Sequence, residues 1–252
     1  MPASVGRTFS RAARTYGPAA QVQQAVAGTC AALCPAGERG RVLDVGAGTG
    51  FLCRALAPRL SWRSYVALDL SPDMLRTHRQ NAPEALCVAG DGEAPPFAPA
   101  SFDLLVSAST LQWFAAPERS LPALFRLLRP GGAFSLAVYT HGALAELAAA
   151  SAASGFGSVL PLRPAGDWLD LLRRAGAQPQ WRTEKRILYF PTVREVLLSL
   201  QRTGAAFTPA KRAASRRRYE AFLSAYQDSF ATPEGVPATY SVLYAWGEAP
   251  HP

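Results

Sequence analysis

The chain has 252 residues, a formal net charge of +8, 49% hydrophobic residues and 17% charged residues. This composition can fill a packed core and argues against global disorder. The length allows one sizeable domain with insertions or two small domains. No apolar run is long enough to span a bilayer, and the N-terminal segment lacks the apolar core of a secretory signal. We therefore expect a cytoplasmic protein that does not insert into a membrane.

The surplus of positive charge favours an acidic partner, which could be nucleic acid, anionic lipid or an acidic protein. The densest basic run consists of Lys211, Arg212, Arg216, Arg217 and Arg218. Aromatic residues are almost absent from this run, so a nucleic-acid-binding module is not favoured.

The four cysteines are Cys30, Cys34, Cys53 and Cys87. None has the neighbouring histidine or cysteine pair that would complete a zinc site, so no metal is expected. We interpret them as free thiols of a cytosolic protein.

Strands and helices alternate in the first half of the chain. After a helix at about 16–34, the predicted strands span 41–46, 65–70, 86–91, 102–109 and 133–140, and the predicted helices span 51–60, 71–81 and 118–130. Such alternation is typical of a parallel sheet covered by helices on both faces. Ligands of these sheets bind beyond the carboxyl ends of the strands.

The second half of the chain is less regular. Helices are predicted at 142–152, 164–175, 192–203 and 209–229, and strands at 180–190 and 239–249. The last two strands bring the sheet to seven. The helices at about 192–230 then form an insertion between these two strands, and such an insertion is commonly a lid over a site.

A glycine-rich turn joins the first strand to the next helix, and it reads Asp44-Val-Gly46-Ala-Gly48-Thr-Gly50. Glycines at such a turn let the backbone approach a ligand closely. The spacing differs from the G-x-G-x-x-G of dinucleotide-binding proteins. An acidic residue beside the turn suits the amino group of S-adenosylmethionine and would repel a pyrophosphate. The alternative is a purely structural turn.

Further candidate residues follow the second, third and fourth strands. Asp69 ends the second strand, where a carboxylate can hold both hydroxyls of a ribose, and Leu70 and Met74 could line an adenine pocket. Asp91 and Gly92 follow the third strand, where the aspartate could accept from the adenine amine. Residues 107–113, which begin with Ser107, lie where a transferred methyl group would point. The alternatives are helix capping for Asp69, core packing for Met74, and a surface turn for Asp91 and Gly92.

Four segments in this order resemble the sequential motifs of class I S-adenosylmethionine-dependent methyltransferases. They are LDVGAGTG, ALDLSPDML, AGDGEAPPFAPASFDLLVSASTLQW and LFRLLRPGG. The resemblance implies S-adenosylmethionine as cofactor, a Rossmann-like α/β fold and cofactor contacts at the residues named above.

Segments outside the core are similar to the malonyl-acyl-carrier-protein O-methyltransferases of biotin synthesis. They are FSRAARTYGPAAQVQ, LQW, THGALAEL, SLQRTGA and VPATYSVLYAWG, of which the last two match loosely. That family methylates the free carboxylate of a malonyl thioester on acyl carrier protein or coenzyme A. The resemblance implies one domain, with an N-terminal helical cover at 1–40, a cofactor-binding core at 41–140 and a substrate side at 141–252.

A carboxylate is ionised at neutral pH, so its methylation needs positioning rather than a general base. Tyr16, Gln112 and His141 are our candidates to position it. Arg163, Arg194 and Arg202 could pair with it, and the sequence favours none of the three. Because acyl carrier proteins are acidic, the basic run could dock one; a solvated helix face is the alternative.

Three other functions remain open. The first is a class I methyltransferase that acts on another carboxylate, a phenol or a quinone precursor. The second is a methyltransferase fold without activity that serves as a binding subunit, against which the intact glycines and Asp69 argue. The third is an NAD-dependent oxidoreductase, which the glycine spacing opposes.

Overall fold

A computed structural model describes residues 3–205 and 215–249, with the backbone alone at residues 3 and 4. Its strands are β1 Gly37–Val45, β2 Leu60–Asp69, β3 Leu86–Ala89, β4 Phe102–Ala108, β5 Leu128–Tyr139, β6 Gln180–Phe190 and β7 Val236–Glu248. They form one sheet in the order β3-β2-β1-β4-β5-β7-β6. β7 runs antiparallel to both of its neighbours, and the other pairs are parallel. The predicted seven-stranded, doubly wound sheet is confirmed.

The helices are α1 Ala3–Ala19, α2 Gln21–Leu33, α3 Phe51–Leu56, α4 Pro72–Asn81, α5 Pro117–Phe125, α6 Ala145–Ser154, α7 Ala165–Arg174, α8 Val193–Arg202 and α9 Arg216–Phe230. The helices α8 and α9 lie between β6 and β7 along the chain, which confirms the predicted insertion. Among the described helices, none is long and apolar enough to cross a membrane.

Both faces of the sheet are buried, as a doubly wound fold requires. Along β4, Leu104 and Val106 belong to one apolar cluster and Leu105 belongs to the cluster on the opposite face. α2, α6 and α9 contribute to the first cluster, while α5 and α7 contribute to the second.

The prediction for the N-terminal helix was wrong in its bounds. We expected one helix at about 16–34, but α1 begins at Ala3 and contains Pro18 in its last turn, and α2 follows after Ala20. Val5, Ala12 and Ala13 are buried where α1 packs against α4 and α8. Their helical spacing was a signal for the longer helix.

The predicted helix at 118–130 also ends too late. α5 stops at Phe125, and β5 begins at Leu128, before Pro130-Gly131-Gly132. Leu128 pairs with Phe102, and the register then shifts before Ala133 pairs with Leu104. Gly131, with φ of 74°, lies in this irregular stretch, so the tripeptide bends a strand rather than ending a helix.

β6 is an edge strand of the sheet, and its outer face is uncovered. Trp181, Ile187 and Tyr189 are about half exposed there, at 50%, 48% and 47%. Lys185 lies on the same face, which is the placement expected of a charge that discourages edge-to-edge pairing.

Candidate active site

The glycine turn after β1 has the backbone that its sequence predicts. Gly46 and Gly48 have φ of 72° and 53°, in the left-handed region that disfavours other residues. The Gly46 amide donates to the Leu68 carbonyl at 2.8 Å, and a β-carbon at Gly46 would collide with the Thr110 side chain. The turn therefore brings bare backbone to the carboxyl edge of the sheet.

Asp69 holds this turn against the end of β2. Its two carboxylate oxygens accept hydrogen bonds of 2.8 Å from the backbone amides of Gly48 and Ser71. Burial raises the pKa of Asp69, and these two hydrogen bonds oppose the rise. Each oxygen retains a lone pair that a ribose hydroxyl could use.

Asp44 is a second carboxyl group, buried at the end of β1. Its Oδ2 accepts a hydrogen bond from the Tyr65 hydroxyl, at 2.7 Å. Burial raises the pKa of Asp44 to about 7, while the Tyr65 hydrogen bond lowers it and the nearby Asp69 raises it further. A buried carboxyl group of this kind is suited to pair with a cationic ligand group.

Three cavities meet at the edge of the sheet, and the ring of Tyr16 borders all three. The Asp69 cavity, of about 50 Å³, is also bordered by Gly46, Gly48, Asp69, Leu70 and Met74. The Asp44 cavity, of about 30 Å³, is bordered by Asp44, Gly46, Gly48 and Phe51 among others. Tyr16 stacks on Phe51 with ring centroids 5.9 Å apart.

The helix α1 closes over the two small cavities. The Ser10 and Ser71 hydroxyls are hydrogen-bonded at 2.7 Å, and a β-carbon at Gly6 would lie 3.0 Å from the Leu70 side chain. The small cavities are far below the volume of about 300 Å³ at which ligand pockets begin. An adenosine-sized ligand needs more room than these two cavities offer, and α1 is the element that covers them.

The large cavity has a volume of about 480 Å³ and lies on the other side of Tyr16. α1, β5, α6, α8, α9 and the loop 156–162 all contribute to its wall. In the described ranges, no residue that lines it is charged. Its polar lining includes Ser109, Gln112 and Tyr139, of which each has a buried oxygen without a hydrogen-bond partner there.

Comparison with known proteins shows the family to which this chain belongs. A family model described as "Methyltransferase domain" matches residues 43–136. The malonyl-[acyl-carrier protein] O-methyltransferase of Geobacter sulfurreducens is 34% identical, over 97% of this chain and 97% of that protein. This chain belongs to that family. It is an S-adenosylmethionine-dependent methyltransferase.

A second relative is longer than this methyltransferase. The biotin biosynthesis bifunctional protein BioHC of Cellvibrio japonicus is 34% identical over 95% of this chain, and the chain spans about half of that protein, 49%.

Solved structures share the fold of this methyltransferase at low identity. The YcgJ protein of Bacillus subtilis has a TM-score of 0.63 at 16% identity, and covers 92% of this chain and 99% of its own. Geranyl diphosphate methyltransferase in complex with S-adenosylmethionine has a TM-score of 0.53 at 15% identity, covering 90% of this chain and 86% of its own.

Several predicted site residues of the methyltransferase do not line the three cavities. They are Gly50, Asp91, Gly92, Ser107 and His141. Ser107 is buried and donates to the Val45 carbonyl at 2.7 Å, so it ties β4 to β1. His141 is exposed, and its role in positioning the substrate stays a prediction.

The other three residues have identifiable local roles. Gly50 caps α3 with φ of 89°. Asp91 accepts from the Glu93 amide at 2.9 Å, and a β-carbon at Gly92 would lie 2.8 Å from Val45. The contacts of Asp91 and Gly92 shape the loop after β3, and their predicted role in cofactor binding stays a prediction.

The three candidate arginines do not line the large cavity. Arg163, Arg194 and Arg202 are exposed and border none of the cavities, and Arg163 faces Glu118 at 3.5 Å. Ser109 and Trp113, inside the predicted segment 107–113, line the large cavity, as do Phe9 and Tyr139, which sequence reasoning did not single out. Tyr139 could have been found, because it ends β5 at the edge where ligands bind.

Proposed function

We propose that this enzyme transfers a methyl group from S-adenosylmethionine to the free carboxylate of malonyl-acyl carrier protein or malonyl-coenzyme A. The product is the malonyl methyl ester that starts pimeloyl and biotin synthesis. Family membership over nearly the whole chain carries the proposal. The uncharged cavity next to the glycine turn supports it.

The cofactor would be held by residues of the two small cavities. We assign Asp44 to its amino group, Asp69 to its ribose hydroxyls, and Leu70 and Met74 to its adenine ring. Gly46 and Gly48 allow the backbone to come close. When bound, the cofactor supplies a methyl group on a positively charged sulfur.

The large cavity suits this reaction because the transfer cancels two charges. The positive charge of the methyl donor and the negative charge of the carboxylate both disappear in the product. An apolar site that excludes water favours such a step, whereas a fixed cation beside the carboxylate would stabilise the reactant more than the transition state. The lining of the large cavity has this apolar, uncharged character.

Tyr16 is our candidate to position the substrate from the cofactor side. Its ring borders the large cavity as well as both small ones. Burial, together with the negative charge of Asp69, raises the pKa of Tyr16. The hydroxyl therefore keeps its proton at neutral pH and can donate a hydrogen bond.

The start of α9 is our candidate docking surface for the acidic carrier protein. Arg216, Arg217 and Arg218 are exposed there, and Arg216 also pairs with Glu220 at 2.8 Å. Lys211 and Arg212 of the basic run lie outside the described residues. One turn further along α9, Phe222 lines the large cavity, so a carrier docked here would be close to the site. The cytoplasmic location stays a prediction.

The experiment is mass spectrometry of malonyl-acyl carrier protein after incubation with the enzyme and S-adenosylmethionine. The expected result is a gain of one methylene, with acetyl-acyl carrier protein unchanged. If the enzyme binds the cofactor product S-adenosylhomocysteine but leaves the malonyl carrier unmodified, the substrate is another small molecule.

A further inference from the structure

Ser109 stands at the junction between the two parts of the site. It lines both the Asp69 cavity and the large cavity. Phe9, Tyr16 and Trp113 share that position, so the two substrates meet among these four residues. Of these, Ser109 is the one whose buried hydroxyl has no hydrogen-bond partner in the described part of the chain.

The backbone of Ser109 is held in an unusual conformation. Its φ is 59°, in the left-handed region that a residue with a side chain rarely adopts. The Ser109 amide donates to the Ala137 carbonyl at 2.9 Å, and the Gln112 side-chain amide donates to the Ser109 carbonyl at 2.6 Å. Strained residues fixed on both sides in this way concentrate at functional sites.

The Tyr139 hydroxyl is a second buried donor on the neighbouring strand. β5 ends at Tyr139 and pairs with β4, which leads into Ser109. Within the described residues the hydroxyl is buried and has no hydrogen bond of acceptable geometry, and the neighbouring Ser109 hydroxyl, as a hydrogen-bonding group, lowers its pKa. Burial raises the pKa of Tyr139 well above its ordinary value, so it remains a donor.

Buried hydroxyls without partners destabilise the protein unless a ligand satisfies them. The ligand group that fits two adjacent donors is one with acceptors alone, and an ionised carboxylate is such a group. Gln112 already donates one N–H of its side-chain amide to the Ser109 carbonyl, and its unpaired oxygen is an acceptor, which a carboxylate does not satisfy.

We infer that the hydroxyls of Ser109 and Tyr139 form an uncharged clamp for the substrate carboxylate. Gln112 is a positioning residue that fixes the Ser109 backbone. The inference rests on the proposed function, since it assumes a carboxylate substrate. In this inference two neutral donors take the place of an arginine. They orient the carboxylate but place no positive charge beside it.

The test compares the variants Ser109→Ala and Tyr139→Phe with the wild type. Two ligands are used: malonyl-acyl carrier protein, and its amide analogue, in which CONH₂ replaces the carboxylate. We expect each variant to raise KM for the malonyl substrate by about tenfold or more, and to change inhibition by the amide analogue by less than about threefold. Affinity for S-adenosylhomocysteine should stay at the wild-type value.

Tyr244→Phe is the matched control. Among the described residues its hydroxyl is also buried without a hydrogen bond of acceptable geometry, with Arg186 and Thr29 as polar neighbours, and Tyr244 borders none of the three cavities. The control should keep the wild-type KM. Equal weakening of both ligands, or an unchanged KM in an active variant, would overturn the clamp alone. A wild-type enzyme that binds S-adenosylhomocysteine but leaves the malonyl carrier unmethylated would overturn the proposed function and the clamp together.

Discussion

The Tyr65 hydroxyl donates a 2.7 Å hydrogen bond to Oδ2 of Asp44, and both side chains are buried. Burial raises the pKa of Asp44 to about 7. The carboxyl group is therefore protonated below that pH and ionised above it. An ionised Asp44 pairs with the amino group of the cofactor, whereas a protonated one does not.

Cofactor affinity should accordingly depend on pH. We expect the affinity for S-adenosylhomocysteine to be constant above pH 7 and to fall, by up to about tenfold per unit, as the pH decreases below it. Calorimetric titration between pH 5.5 and pH 8.5 measures this. The variant Asp44→Asn should bind weakly with a flat profile, and Tyr65→Phe should move the midpoint to higher pH, because a hydrogen bond that lowers the Asp44 pKa is lost.

Tyr16→Phe should lower turnover by about tenfold or more while affinity for S-adenosylhomocysteine stays near the wild-type value. The phenylalanine keeps the stacking on Phe51 and removes only the hydroxyl. Steady-state kinetics with malonyl-acyl carrier protein, combined with calorimetry, separates the two effects. Tyr189→Phe, at the exposed edge strand, is the control. Turnover equal to that of the control would remove Tyr16 from the site.

Tethering α1 to α4 should block the cofactor. The Ser10 and Ser71 hydroxyls are 2.7 Å apart, so cysteines at these positions are close enough for a disulfide. We expect the oxidised Ser10→Cys/Ser71→Cys variant to bind S-adenosylhomocysteine at least about tenfold more weakly than the wild type, with full recovery on reduction. Each single variant serves as a control, since Ser71 also caps α4. Wild-type affinity in the oxidised double variant would mean that α1 need not open.

Charge reversal at the start of α9 should weaken docking of the carrier protein. The triple variant Arg216→Glu, Arg217→Glu, Arg218→Glu should raise the apparent KM for malonyl-acyl carrier protein more than that for malonyl-coenzyme A, and the difference should shrink at high salt. Reversal of Arg173 and Arg174 on α7, which contributes to the opposite face of the sheet, is the control. An equal rise for both substrates would contradict docking at α9.

The fold was largely predictable because its signals are local. A short apolar run ending in glycine, such as 41–46, predicts a buried strand and the turn after it. The start of α1 was missed because a proline and a glycine near its end outweighed the apolar spacing of Val5, Ala12 and Ala13. The end of α5 was predicted too late because Pro130-Gly131-Gly132 was interpreted as a helix stop. Residues that end helices also bend strands.

The candidate site also contains residues that local sequence patterns predict and residues that they do not. Asp44, Gly46, Gly48 and Asp69 were predicted because the strand-turn-helix pattern places them at the ligand edge. Ser109 lay in the predicted segment 107–113, but its proposed pairing with Tyr139 was not predicted, because it depends on two strands that are distant in sequence and adjacent in the sheet. An unpaired buried hydroxyl is a property of three-dimensional packing, and no residue spacing reports it.

The uncharged lining of the large cavity also affects what happens after transfer. The ester product is neutral and gives up less hydration on entering such a cavity than the anionic substrate does. The same wall that favours the reaction therefore retains its product. We expect the methyl ester to be a competitive inhibitor with respect to the malonyl substrate, so that steady flux depends on a following enzyme that elongates or otherwise removes the ester.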